Sequence, residues 1–168
     1  RYPRVGQLEE AAEGKEEATM PLPALLRRFP FLQRHPHPMT VHFPLACAVF
    51  APLFLLLRLF TGYPALGTTA LHLLGAGIVF TPVAIATGLY TWWLNFMAQR
   101  IRQVVYKLFL TPVLFLLFLA TFLWRLFSPE LLQQGAWGTV YVLLVLLLAP
   151  LAGSIGWFGA PLTFPVEK

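Results

Sequence analysis

An all-α, integral membrane four-helix bundle with an N-terminal interfacial segment is the fold the sequence predicts, on three observations. The 168 residues are 58% hydrophobic and 11% charged, with a mean hydropathy of +0.69, whereas soluble domains carry about 25% charged residues. Four apolar runs, Val41–Phe60, Gly67–Leu94, Val104–Phe127 and Trp137–Phe158, each reach the roughly 20 residues that a helix needs to cross a bilayer. Between Ala18 and Pro129 there is no acidic side chain at all, so the spans contain no buried carboxylate, one of the costly groups in a bilayer.

Residues 1–19 form a polar, acidic linker or tail, holding Glu9, Glu10, Glu13, Glu16 and Glu17; such a charge run is a solvated segment and carries no chemistry. No initiator methionine and no cleavable signal pattern opens the chain, which implies a processed start or a beginning partway along a longer product. Residues 20–40 form an interfacial, proline-rich lead-in with Pro21, Pro23, Pro30, Pro36 and Pro38. The residue before a proline disfavours helix, which leaves only Ala24–Phe29 for a short helical piece, with Leu25, Leu26 and Phe29 toward lipid and Arg27 and Arg28 toward headgroups.

The four-span domain then covers residues 41–160. Prolines fall in every span, at Pro44 and Pro52, Pro82, Pro112 and Pro150, and Thr81 and Thr111 directly precede two of them; kinked helices are expected, the freed carbonyls being satisfied by neighbours or threonine. Gly75, Ala76 and Gly77 in the second span, and Gly153, Gly156 and Gly159 in the fourth, form close-approach surfaces of the kind that pack membrane helices. The same lack of bulk would also leave room for a flat macrocycle. Residues 161–168 are a short tail.

Basic residues set the orientation. With four spans, Arg27, Arg28, Arg34, Arg100, Arg102, Lys107 and Lys168 share one side, and Arg58 and Arg125 stand alone on the other. Both termini are therefore expected in the cytoplasm, with Arg58, Arg125 and Lys107 snorkelling to headgroups. The net charge of +5 does not form a patch interleaved with aromatics, which argues against nucleic acid as a partner. Tyr90, Trp92, Trp93, Trp124, Trp137 and Trp157 near the span ends read as an interfacial belt.

The stretch from His35 to Ala46, with His37-Pro38 ahead of Val41-His42-Phe43-Pro44, resembles the opening signature of a family of predicted bacterial membrane proteins, domain of unknown function 2231. The resemblance continues in Thr87-Gly-Leu-Tyr-Thr-Trp-Trp and in Gly153-Ser-Ile-Gly-Trp-Phe-Gly, and spans about residues 34–165. It implies a multi-pass protein of the bacterial inner (plasma) membrane. The family carries no assigned activity, so the resemblance speaks to topology.

Hydrolytic and kinase chemistry have no support: the chain has no Asp, no Gly-x-Ser-x-Gly, no His-Glu-x-x-His and no phosphate-binding glycine loop. What remains are imidazoles at helix ends. His42, His37 and His35, with Met39, Met97, Arg100, Arg102 and Lys107, gather at one face of the membrane, where imidazole or thioether could ligate a b-type haem and the cations could pair with its propionates. His72 belongs near the other face, about 20 Å away in depth, so one iron cannot take both His42 and His72 from one chain; as an ionisable group within a span it is a second candidate ligand. His42, His37 and His72 are thus the candidate metal ligands. Copper at His35-x-His37-x-Met39 is a further reading. The bland reading leaves His42 capping its helix, with His35 and His37 wet at the interface.

The expected function is a non-catalytic subunit that holds b-type haem or otherwise supports electron transfer in a membrane redox complex. The alternative is a cofactor-free structural or anchoring subunit. Either way the partners are the lipid bilayer and a second copy or a larger complex, with the glycine stripe of the fourth span as the candidate interface. The lone Cys47 allows no intramolecular disulfide and reads as a small buried hydrophobe.

Overall fold

The computed structural model describes residues 36–96, 99 and 102–163. The acidic linker, most of the lead-in, the tail beyond Thr163, and the candidate ligands His35, Met97 and Arg100 lie outside the described residues. Five helices and a 3₁₀ turn make up the described chain: α1 (Pro36–Thr61), α2 (Pro64–Phe96), α3 (Arg102–Phe127), the turn (Leu131–Gln133), α4 (Ala136–Leu146) and α5 (Leu148–Thr163). No described residue is in a strand. Four stretches are long and apolar enough to cross a membrane: His37–Thr61, Pro64–Leu94, Arg102–Phe127 and Ala136–Gly159, the last formed by α4 and α5 together. The fold is the expected all-α four-helix membrane bundle.

Helix α1 starts five residues before the expected Val41, taking Pro36, His37 and Pro38 into its first turn. Proline is at home there, because the first N–H groups of a helix have no intrahelical acceptor to lose. At the other end, Gly62 adopts a φ of 76° and donates its N–H to the Arg58 carbonyl at 3.0 Å. That left-handed C-terminal turn, followed by Tyr63 and then Pro64 at the head of α2, folds α1 and α2 into a hairpin with a two-residue connection. The fourth span is interrupted at Leu147 because Pro150 has no N–H to give the Leu146 carbonyl, and the helix resumes at Leu148. Within α2, Thr81 donates its hydroxyl to the Gly77 carbonyl at 2.6 Å, one residue short of the Ile78 carbonyl that Pro82 frees.

The helices form a ring in which α1 packs on α2, α2 on α3, α3 on α5 and α5 back on α1. The α1–α2 contact is the most extensive, and its sequence logic is a seven-residue repeat of small side chains. Gly67, Ala70, Leu74, Gly77, Thr81, Ala84, Gly88 and Thr91 recur at alternating steps of three and four along α2, and the first six are buried. On α1 the same spacing runs through His37, Thr40, Pro44, Cys47, Ala51, Phe54 and Arg58. A period of 3.5 keeps one face turned to its partner, and small residues let the backbones approach. The register is fixed at both ends: His37 lies against Gly88, and Arg58 against Gly67.

The rest of the interior is filled from α3, α4 and α5 by Leu114, Phe118, Tyr141, Val145, Leu148, Ala152 and Ile155, all buried. The outer face carries the large side chains, among them Phe50, Phe60, Val79, Phe109, Leu116, Leu143 and Trp157. Small inside and large outside is the arrangement a lipid environment selects, since helices there associate by close packing rather than by hiding apolar surface from water. Two of the three charges expected to snorkel do something more specific. Arg58 lays its stem along Gly67, whose Cβ position is 3.5 Å from Arg58 Cγ. Arg125 donates to the carbonyls of Ser128, at 3.3 Å, and Pro129, fastening the connection that leads to the 3₁₀ turn.

Candidate functional site

At the end of the bundle opposite the Gly62 turn, the α1–α2 seam changes from apolar to polar. Its members there are His37 and Thr40 from α1 and Thr87, Gly88 and Thr91 from α2. The helical repeat that lines up the core residues also lines these up, so they face one another for the same geometric reason.

Thr40 and Thr87 share a hydrogen bond of 2.7 Å across the seam; one hydroxyl donates in it, and the other is free to donate to its own helix, Thr40 to the His37 carbonyl at 3.1 Å or Thr87 to the Val83 carbonyl at 2.9 Å. One turn nearer the end of the bundle, the His37 ring approaches bare α2 backbone with its Cε1 edge. A Cβ at Gly88 would be 3.0 Å from its Cε1 and 3.2 Å from its Nδ1. The other side of the ring is met by α3, where Lys107 Nζ is 3.3 Å from His37 Nε2. Lys107 is thus turned inward between helices and not outward to headgroups, which corrects the expectation for that residue. Gly159 of α5 makes this possible, since a side chain there would begin 3.4 Å from Nζ.

The proton positions follow from donor inventory. An ammonium has donors only, so His37 Nε2 must accept and the ring proton must be on Nδ1. Nδ1 is buried and makes no hydrogen bond of good geometry, although the Ala84 carbonyl of α2 is within its reach; the Thr91 hydroxyl three residues beyond Gly88 is buried without a partner. A buried orphan of this kind costs about 1–3 kcal/mol. With Lys107, the His37 ring makes a small polar nest at this end of the seam. No carboxylate offsets Lys107 among the described residues, where the one acid, Glu130, is at the opposite end of the bundle.

The other candidates are spread out. Residue 42 is five positions beyond 37, which on a helix turns it through about 140° away from the His37 face; His42 is accordingly exposed on the outside of the bundle. Met39 is 74% exposed and His37 faces inward, so α1 does not bring them together as a copper pair. His72 is also exposed, and the register places it level with Phe54, about 18 Å along the axis from His42. The space beside Gly75 and Gly77 is occupied by the rings of Phe122 and Phe118. Arg102 is exposed at the His37 end, stacked 5.6 Å from the Tyr106 ring centroid, and Tyr106 in turn stacks on Phe158 at 4.9 Å. The described residues contain no group of three His, Cys, Asp or Glu side chains able to hold a metal.

The residues that sequence reasoning did not single out as site members are Gly88, Thr40, Thr87 and Thr91; Lys107 is among the cations expected at this face, but as a partner for propionates and headgroups. The signal that could have found them is the seven-residue repeat, which runs unbroken through the small core residues into Gly88 and Thr91. Three stretches that are distant in sequence meet here: His37 belongs to the first, Thr87, Gly88 and Thr91 to the second, Gly159 to the third.

A family model described as "Predicted membrane protein (DUF2231)" matches residues 34–166. No curated protein and no solved structure matches the chain.

Proposed function

We propose, from the premise that the chain belongs to the family of predicted membrane proteins DUF2231, that it is a non-catalytic subunit of a membrane redox complex and that its His37 end holds the redox group, for which b-type haem is the candidate. The observation that supports this is the inward-facing His37 ring, set against Gly88 of α2 and beside Lys107 of α3 at the polar end of the seam. A bound haem would supply a one-electron couple at iron.

His37 Nε2 carries the ring's lone pair; a metal there would take the place of the Lys107 contact, and Nδ1–H would orient the ring, as the second nitrogen of a ligating histidine commonly does. Gly88 lets the imidazole lie against α2 without a clash. Arg102, exposed at the same end, is a partner for a propionate. His42 and His72 are exposed on the outside of the bundle, so any further ligand would have to come from another subunit, in keeping with a place in a complex. This moves the proposed ligand from His42 to His37.

A dithionite-reduced-minus-oxidised spectrum of the purified, haem-loaded protein tests the reading. His37→Ala should remove the alpha band and His42→Ala should leave it. Absence of the band in the wild-type protein, or its survival in His37→Ala, overturns the haem reading. A cofactor-free anchoring subunit is favoured by a separate observation, the exposed Gly153 and Gly156 with open space at both Cβ positions. It predicts an iron-free protein by elemental analysis.

A further inference from the structure

Lys107 poses a charge problem that the His37 contact does not solve. Its ammonium is five residues inside the start of α3, about 7.5 Å along the helix, and is held between α1 and α5 by His37 Nε2 and the bare backbone at Gly159. A neutral imidazole accepts one of its three N–H donors and cancels none of its charge. An ammonium within a span is expensive unless paired with an anion or led out to the interface. Lys107 is not led out, although the end it stands near is where its side chain would naturally point.

No carboxylate is available at this end among the described residues. What a bilayer itself offers at that depth is phosphate, and phosphate oxygens suit the donors present. Lys107 has two N–H groups beyond the one at His37, and Arg102, on the same helix, presents its guanidinium over Tyr106 at the bundle's rim. Glycine at position 159 puts no side chain of its own over the ammonium. Tyr106 and Phe158, stacked at 4.9 Å, supply an apolar wall beside the cation for acyl chains to follow.

We propose that Lys107, with His37 holding it in place, binds the phosphate of an anionic phospholipid at this end of the bundle. The His37 imidazole is a positioning residue, and the lysine makes the contact. The site shares its location with the cofactor reading above but does not rest on it: it needs Lys107 on His37 Nε2, as the structure has it, and iron at that nitrogen would exclude the contact.

The test uses the full chain in nanodiscs of mixed phosphatidylglycerol and phosphatidylcholine, released into mild detergent and analysed by native mass spectrometry with phosphorus and iron quantified on the same sample. The wild-type protein should retain phosphatidylglycerol in preference to phosphatidylcholine. Lys107→Met should lower that retention about tenfold or more, the loss expected for a charge-assisted contact. Lys107→Arg should largely restore it, and Arg58→Met at the far end should leave it unchanged. A monodisperse elution profile of Lys107→Met, or the Arg58 and Lys107→Arg comparison if Met disturbs folding, separates lipid loss from misfolding. Equal retention by wild type and Lys107→Met overturns the proposal. Displacement of the lipid by millimolar inorganic phosphate would make the site one for free phosphate and overturn the lipid assignment. Loss of iron with unchanged phosphorus would mean the cation serves a haem carboxylate, and would overturn it too.

Discussion

Replacing Gly77 with alanine puts a methyl group where the ring of Phe118 already is. An added Cβ would be 2.5, 2.6 and 2.7 Å from Cε1, Cζ and Cδ1 of that ring, against roughly 3.5–4.0 Å for a comfortable carbon–carbon contact. One partner must therefore retreat by about 1 Å. Phe118 is fully buried and cannot swing into lipid, so the helices α2 and α3 have to separate. A misfit of that size belongs at the upper end of the overpacking range, about 3 kcal/mol. Alanine returns about 1 kcal/mol through its better helix propensity. The net loss is then about 2 kcal/mol, or roughly 4–8 °C in the apparent melting temperature of a chain this long. Thermal unfolding of the detergent-solubilised protein, followed by circular dichroism, measures it. The double variant Gly77→Ala/Phe118→Leu should recover part of the loss, giving a coupling energy well outside the about 0.5 kcal/mol of independent sites. If Gly77→Ala melts at or above the wild-type temperature, or if the two changes simply add, the α2–α3 contact is not the close approach described here.

Two further outcomes are expected. In a Cys47-free background, single cysteines at Gln99 and Gln133 should be labelled from opposite sides of the membrane by an impermeant maleimide, with Gln99 cytoplasmic if both termini are; labelling of both from one side contradicts the four-span topology. Gly156→Leu should lower the native mass of the assembly without unfolding the chain, because open space surrounds that Cβ position and the isolated bundle loses nothing by the change; an unchanged mass removes the fourth span as the contact between subunits.

The spans were legible in the sequence because a bilayer imposes one requirement, length of apolar helix, that composition alone reveals. Their ends were less so. The prolines at 36 and 38 read as an extended lead-in, yet the first turn of a helix tolerates proline, and α1 takes in both. That difference of five residues decided the site: with His37 outside the helix it is a wet interfacial side chain, and with His37 inside it is the polar end of a packed seam. His42 drew attention because it follows the same motif, but helical rotation turns it away from the interior. Lys107 was read as a headgroup contact, which is the ordinary fate of a lysine near a span end; only the missing side chain at Gly159, on a helix more than 50 residues later in sequence, permits it to turn inward.

The two-residue link at Gly62 and Tyr63 bears on the order in which the molecule is made. Helices α1 and α2 are neighbours in sequence and share the longest seam, so their hairpin needs almost no chain closure to form and is available as soon as Phe96 has left the ribosome. It carries half of the polar nest, with His37 already against Gly88. The other half, Lys107 and Gly159, arrives with α3 and α5. The contact between His37 and Lys107 is therefore a late event, closed only when the last span has docked, and a chain that stalls before then exposes an imidazole with neither its lysine nor its lid. Completion of the nest is in that sense a signature of finished assembly.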